Sequence, residues 1–212
     1  MVEQLLIQGP AGSVQVAIDT PDGWQPGHGT AIVAHPNPAH GGNMDHKIVH
    51  TLNRAWVLMG WRAVRFNFRG VGQSEGAFDD GKGEVNDLMA VVQHITPTGP
   101  LGLSGFSFGA YVTSHAVQRL HASRAADMRS IVLVGTATSR FTAATIPSDL
   151  HHRTLALHAD DDEIVPYAGT LAWAQAQKLP LLVVPGGGHF FHGQQPLLRE
   201  LVLRHLRGTL TS

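Results

Sequence analysis

Ser107 stands in the run Leu101-Gly102-Leu103-Ser104-Gly105-Phe106-Ser107-Phe108-Gly109-Ala110, an apolar strand-like stretch, a Gly-x-Ser-x-Gly turn and the opening of a helix. A serine hydroxyl attacks a carbonyl carbon only when a base takes its proton and the backbone holds it clear. A strand that turns sharply into a helix does the second, and it brings the two elements so close that small residues must flank the serine. Gly105 and Gly109 fill those places. The helix opening at Phe108 aims unpaired N–H groups and a positive dipole end at the oxyanion that attack creates. The base that serves such a serine is an imidazole steadied by a carboxylate. Two later apolar runs end in those groups. Leu155-Ala156-Leu157-His158-Ala159 leads into Asp160-Asp161-Asp162-Glu163, and Leu181-Leu182-Val183-Val184 leads into Gly186-Gly187-Gly188-His189-Phe190-Phe191-His192. The chain order serine, acid, histidine is the one that follows a strand–turn–helix nucleophile.

Competing residues are weighed by context. Gly72-Gln73-Ser74-Glu75-Gly76 is a second Gly-x-Ser-x-Gly match, but it sits between Arg69-Gly70-Val71 and Ala77-Phe78-Asp79-Asp80-Gly81, which is loop composition with no helix launched from the serine. Ser107 is therefore the expected nucleophile. His189 is the expected base, and His192, beyond two phenylalanines, is expected at a pocket rim or on the surface. Four carboxylates, Asp160 to Glu163, compete for the acid. There are fourteen histidines but no His-Glu-x-x-His pattern. His46 and His50 stand four apart in the run expected to form a helix, where solvated side chains are expected rather than a metal site. No metal and no cofactor are expected.

The elements that must position these groups follow from periodicity. Residues 4–8 and 13–19 predict a hairpin around Gly9-Pro10-Ala11-Gly12, half exposed at an antiparallel sheet edge. Residues 30–35, 61–68, 101–106, 130–135, 155–158 and 181–184 predict further strands. Helices are expected over 46–59, 83–95, 108–121, 168–178 and 195–207. Strand and helix alternate from residue 30 onward, which predicts a mostly parallel sheet covered on both faces, with reacting groups at the carboxyl ends of its strands. The 212 residues fit one domain, 1–212, with no repeat or linker. A formal charge of −1 gives no reason to expect a nucleic-acid partner. No apolar run approaches the roughly 18 residues of a membrane span. The absence of cysteine excludes disulfides and a thiol nucleophile, and with no signal-peptide start the expected location is cytoplasmic.

These residues resemble the α/β-hydrolase superfamily, in particular its small, lidless bacterial serine hydrolases, over nearly the whole chain. The likeness rests on His35-Pro36-Asn37-Pro38 with Gly41-Gly42, on Arg65-Phe66-Asn67-Phe68-Arg69-Gly70-Val71-Gly72-Gln73-Ser74-Glu75-Gly76, on the Ser107 turn, and on Asp162-Glu163-Ile164-Val165-Pro166 and Gly188-His189-Phe190-Phe191. The resemblance implies that the arginine–glycine loop is structural. It also implies that the acid lies just ahead of the Val-Pro segment, which selects Asp162; Asp160 is the runner-up, and Asp161 and Glu163 become solvated charges. An oxyanion hole needs one N–H from the residue after the nucleophile, Phe108, and one from the first crossover loop. Pro36 and Pro38 have no N–H, so Asn37 between them is the expected second donor. His35 either positions that turn or is a satisfied buried histidine.

Only residues 136–153 separate two strands where relatives with lids carry a helical insertion, so a loop and a short helix are expected and no cap domain. Phe106, Phe141 and Phe190 are expected to wall the substrate. The expected activity is cleavage of a small carboxylic ester or thioester through an acyl-enzyme. The same triad would serve an amidase or peptidase, and a third reading retains the fold as a non-catalytic interaction module.

Overall fold

Alternation makes the first two strands a hairpin, β1 (Val2–Gly9) and β2 (Gly12–Asp19), paired antiparallel from Val2↔Asp19 to Gly9↔Gly12. β1 is the exposed edge, whereas β2 buries Val14, Val16, Ala17 and Ile18 because it also pairs antiparallel with the next strand inward. The structure is a computed structural model that describes residues 2–25 and 27–210; Met1, Pro26, Thr211 and Ser212 of the expected 1–212 domain lie outside the described residues. Apolar runs then alternate with helices: β3 (Thr30–Ala34), α1 (Lys47–Leu58), β4 (Arg62–Phe66), α2 (Lys82–Ile95), β5 (Leu101–Phe106), α3 (Phe108–Arg124), β6 (Met128–Val134), β7 (Thr154–Ala159), α4 (Tyr167–Gln177), β8 (Leu181–Val184) and α5 (Gln195–Leu210).

They form one eight-stranded sheet in the order β1-β2-β4-β3-β5-β6-β7-β8. From β4 to β8 every neighbouring pair is parallel, so the antiparallel part is confined to the N-terminal edge. Helices α1 and α5 bury Ile48, Leu52, Trp56, Val202 and Leu206 on one face. Helices α2 and α3 bury Val85, Leu88, Val112 and Val117 on the other. The chain goes from β3 to β4 on one side and returns past β3 to β5 on the other. The loops after β3 and β5 therefore diverge and leave a crevice at the carboxyl edge.

Several boundaries differ from the periodicity, for local reasons. The strand expected over 61–68 ends at Phe66: Asn67 N still donates to Gln15 O of β2 at 2.9 Å, but Phe68 N turns away to His35 Nε2 at 3.0 Å. The loop that follows is stapled down. Arg69 binds Asp87 of α2 through Nε at 3.0 Å and Nη2 at 2.8 Å, and Ser74 Oγ donates to Asn67 O at 2.7 Å while accepting from Gln15 N at 2.9 Å. Ser74 is buried, and its hydroxyl is committed to the fold. Between β6 and β7, the only regular element among the described residues is the 3₁₀ turn Ser148–Arg153, so no cap domain covers the carboxyl edge.

Candidate active site

Ser107 joins β5 to α3 with φ 56° and ψ −116°, a conformation that a residue with a side chain adopts only under constraint. The constraint is visible. Ser107 N donates to Val134 O at 2.8 Å, and Ser107 O accepts from Ala110 N, Tyr111 N and Ala137 N at 3.0, 3.1 and 3.2 Å. A Cβ on Gly105 would overlap the Gly109 carbonyl, and one on Gly109 would lie 2.6 Å from His35 O. Strand, helix and the loop after β3 touch here through bare backbone.

His189 Nε2 lies 3.1 Å from Ser107 Oγ, and His189 Nδ1 lies 2.7 Å from Asp162 Oδ2. Asp162 is buried at the end of the β7 loop, where its Oδ1 accepts from Ile164 N at 2.9 Å and Val165 N at 2.7 Å. Burial pushes its carboxyl up, but the bonds from His189, Val165 and Ile164 win and hold it below the usual carboxylate range. His158, four residues earlier on β7, adds a group the sequence reading did not assign. Its Nε2 donates to Val165 O at 2.8 Å and stands 3.4 Å from Asp162 Oδ2. Its Nδ1 has no partner among the described residues, and burial holds the ring's pKa down.

Asp160 and Asp161 are neither the triad acid nor free surface charges. Asp160 Oδ1 accepts from Gly186 N at 2.9 Å and Asp161 Oδ1 from Gly188 N at 2.7 Å. The two carboxylates tie the β7 loop to the glycine loop that delivers His189. Glu163 remains exposed.

Comparison with known proteins agrees with this geometry. The sequence profile of the alpha/beta hydrolase fold matches residues 31–152, more than half of the chain. A lidless a/b serine hydrolase of Xanthomonas campestris is 34% identical, covering 97% of this chain and 94% of that one, with a TM-score of 0.84. The chain belongs to the alpha/beta-hydrolase family. An alpha-beta serine hydrolase homologue of Coxiella burnetii is 38% identical over 96% of this chain and 97% of its own, with a TM-score of 0.80. An uncharacterized protein of Rickettsia prowazekii is 37% identical over 120 residues, 55% of this chain. The match spans half (50%) of that relative's length. The Ser107–His189–Asp162 network of this alpha/beta hydrolase is the triad arrangement of a serine hydrolase.

In this hydrolase the serine opens on a cleft of about 440 Å³ bordered by Asn37, Phe108, Phe141 and Phe190, with His40, Ser139, Arg140 and Glu163 among its polar groups. Phe141 and Phe190 thus border the cleft. Phe106 does not. As the last residue of β5 its ring turns to the α1 face, fully buried, with its centroid 5.3 Å from that of His46 and 5.0 Å from that of His189. It backs the base and does not wall the cleft.

His46 likewise is no solvated helix residue. It caps α1, accepting from Ile48 N at 3.3 Å, and stacks on Phe106; burial, then the nearby His189 and Lys47, lower its pKa. His50 is exposed beside Asp45 and Arg65. His192 is exposed next to Phe190, beyond the serine cleft. His35 is buried with both ring nitrogens bonded, to Pro36 O at 2.6 Å and Phe68 N at 3.0 Å. Among the described residues there is no group of three or more acidic, histidine or cysteine side chains placed to hold a metal ion, and no helix is long and apolar enough to cross a membrane.

Proposed function

We propose that this alpha/beta hydrolase cleaves small carboxylic esters or thioesters, with Ser107 as nucleophile, His189 as general base and then general acid, and Asp162 as the carboxylate that orients it. The observation that carries the proposal is the unbroken chain of bonds from Ser107 Oγ through His189 to Asp162, at 3.1 and 2.7 Å, ending on an open cleft. An ionised carboxylate only accepts, so His189 Nδ1 bears the proton and Nε2 faces Ser107 with its lone pair. As Ser107 Oγ bonds to the carbonyl carbon, its proton passes to Nε2, and Asp162 stabilises the imidazolium. The carbonyl oxygen becomes an oxyanion received by the N–H of Phe108, which opens α3 and has no acceptor within its helix, and by that of Asn37. Collapse breaks the bond to the alkoxide or thiolate, which leaves with the proton from Nε2. Water then repeats the sequence on the acyl-enzyme and frees the acid.

The bare connection between β6 and β7 supports short acyl groups. The proposal takes residues 1–212 as one catalytic domain acting in the cytoplasm, a setting that a cysteine-free chain suits. A fluorophosphonate probe is expected to label the wild type and Ser74→Ala but not Ser107→Ala. Labelling that survives Ser107→Ala overturns the assignment. A folded wild type that takes no label favours a non-catalytic module, and turnover of anilides but not esters favours an amidase.

A further inference from the structure

We propose that Arg140 receives a carboxylate carried by the substrate, so that the preferred esters bear an acid group rather than being neutral throughout. The proposal rests on the acyl-enzyme role of Ser107 and names the substrate class of that same cleft.

Arg140 borders the cleft that Ser107 opens on. Its guanidinium makes no hydrogen bond or ion pair with any described residue. Most other arginines on this fold are occupied, Arg65 by Asp45 and Asp19, Arg69 by Asp87, Arg119 by Asn86, Arg124 by Asp127 and Arg153 by Met128 O, and those that are not, such as Arg54, Arg129 and Arg199, lie on the surface outside the cleft. An unoccupied cation in the catalytic cleft is therefore unlike most of its kind in this chain.

Its backbone is held close by on both sides. Ala137 N donates to the carbonyl of Ser107 at 3.2 Å, and the hydroxyls of Thr138 and Thr170 are 3.1 Å apart. On the other side Phe141 packs against Phe108 and Tyr111 with ring centroids 5.1 and 4.9 Å apart, and Ala144 N donates to Ser114 Oγ at 2.9 Å. Both flanks are thus fastened to the nucleophile's own helix or to α4. The guanidinium is presented from a base fixed relative to Ser107, and less freedom is lost when it binds.

The chemistry narrows the ligand. A planar fork of N–H donors matches a carboxylate with two parallel bonds. Phe108, Phe141 and Ile164 line the same cleft, and apolar walls strengthen a charge pair by excluding water. Glu163 also borders the cleft, yet it forms no ion pair with Arg140.

The test compares kcat/KM for matched esters. Monomethyl glutarate and monomethyl adipate are set against methyl valerate for a carboxylate on the acyl side, and 4-acetoxybenzoate against phenyl acetate for one on the leaving side. Wild type is expected to favour the anionic member of at least one pair, with the preference shrinking as salt is raised. Arg140→Gln is expected to lower that anionic-to-neutral ratio about tenfold, the scale of a hydrogen-bonded charge pair in partial contact with water. Arg140→Lys should retain part of the ratio, and Arg129→Gln, outside the cleft, all of it. A wild type that favours the neutral member of every pair, or a ratio untouched by Arg140→Gln, overturns the proposal.

Binding separates this result from the fate of the nucleophile. Calorimetric affinity for monomethyl glutarate, measured in Ser107→Ala with and without Arg140→Gln, needs no turnover. A fall of about tenfold supports Arg140 whatever Ser107 does. Equal affinities overturn it even if Ser107 proves to be the nucleophile.

Discussion

His35 Nδ1 donates to the carbonyl oxygen of Pro36 at 2.6 Å, and that carbonyl belongs to the same peptide unit as the Asn37 N–H. In a trans peptide the two groups point in opposite directions, and none of the described peptide bonds is cis. Pulling the Pro36 oxygen towards the buried ring therefore turns the Asn37 N–H the other way. The ring's Nε2 accepts from Phe68 N at 3.0 Å, so one neutral imidazole ties the loop after β3 to the loop after β4.

The same burial sets a pH dependence of stability. Desolvation outweighs the Pro36 bond and lowers the His35 pKa from 6.5 to about 3. Between those values the unfolded chain binds a proton there and the folded chain does not, so stability rises with pH across the window and falls as the solution is acidified. The contribution is up to about 1.4 kcal/mol per pH unit. Urea unfolding at stepped pH should show a flatter slope for His35→Gln than for wild type over that window. Parallel slopes would mean that another group carries the dependence.

Gly109→Ala puts a methyl 2.6 Å from the His35 carbonyl oxygen, against backbone that cannot move without moving the serine. The expected cost is about 1–3 kcal/mol or more, with loss of fluorophosphonate labelling in whatever protein folds. Gly208→Ala is the contrast. Its new methyl meets nothing within 4 Å on helix α5, and a gain of about 0.5–1 kcal/mol is expected. Equal melting temperatures for the two variants would contradict this account of the turn.

Asp162→Asn should lower kcat by about 10⁴, because an amide no longer enforces the tautomer that leaves Nε2 free. Asp160→Ala and Asp161→Ala remove acceptors for Gly186 N and Gly188 N and loosen the His189 loop without touching the imidazole. Smaller losses of about 10- to 100-fold are expected from such displacement. If Asp160→Asn, which keeps an acceptor oxygen, is as inactive as Asp162→Asn, the acid has been misassigned.

Acyl length reads the bare carboxyl edge. With only the Ser148–Arg153 turn between β6 and β7, long chains run past Phe141 and Phe190 into water. Each methylene left there forgoes about 0.8 kcal/mol of binding. Among p-nitrophenyl esters kcat/KM is expected to peak at short chains, with no jump at the solubility limit. A steady rise to long chains would require a cover that the fold does not supply.

What could be read from the residues alone was whatever depends on near neighbours in sequence. Gly105 and Gly109 mark a turn because a Cβ is excluded two residues either side of Ser107. Apolar runs ending in Asp162 and His189 mark strand ends, and the alternation of Val14, Val16 and Ile18 marks the antiparallel edge. Ser74 was separable from Ser107 because no helix begins there. Tertiary structure decided what depends on partners far along the chain. Phe106 and Phe108 flank the same serine, yet one ring packs under His189 on the α1 face and the other borders the cleft. Asp160 looks like a second candidate for the acid and Asp161 like a surface charge until the Gly186–Gly188 loop arrives to bond them. His46 stacks on a phenylalanine sixty residues away, and Arg140 lacks the acid that Arg65, Arg69 and Arg124 found. Local pattern sets which elements form and where they end. Which face a side chain meets, and whether its charge is matched, is set only when strands distant in sequence close into one sheet.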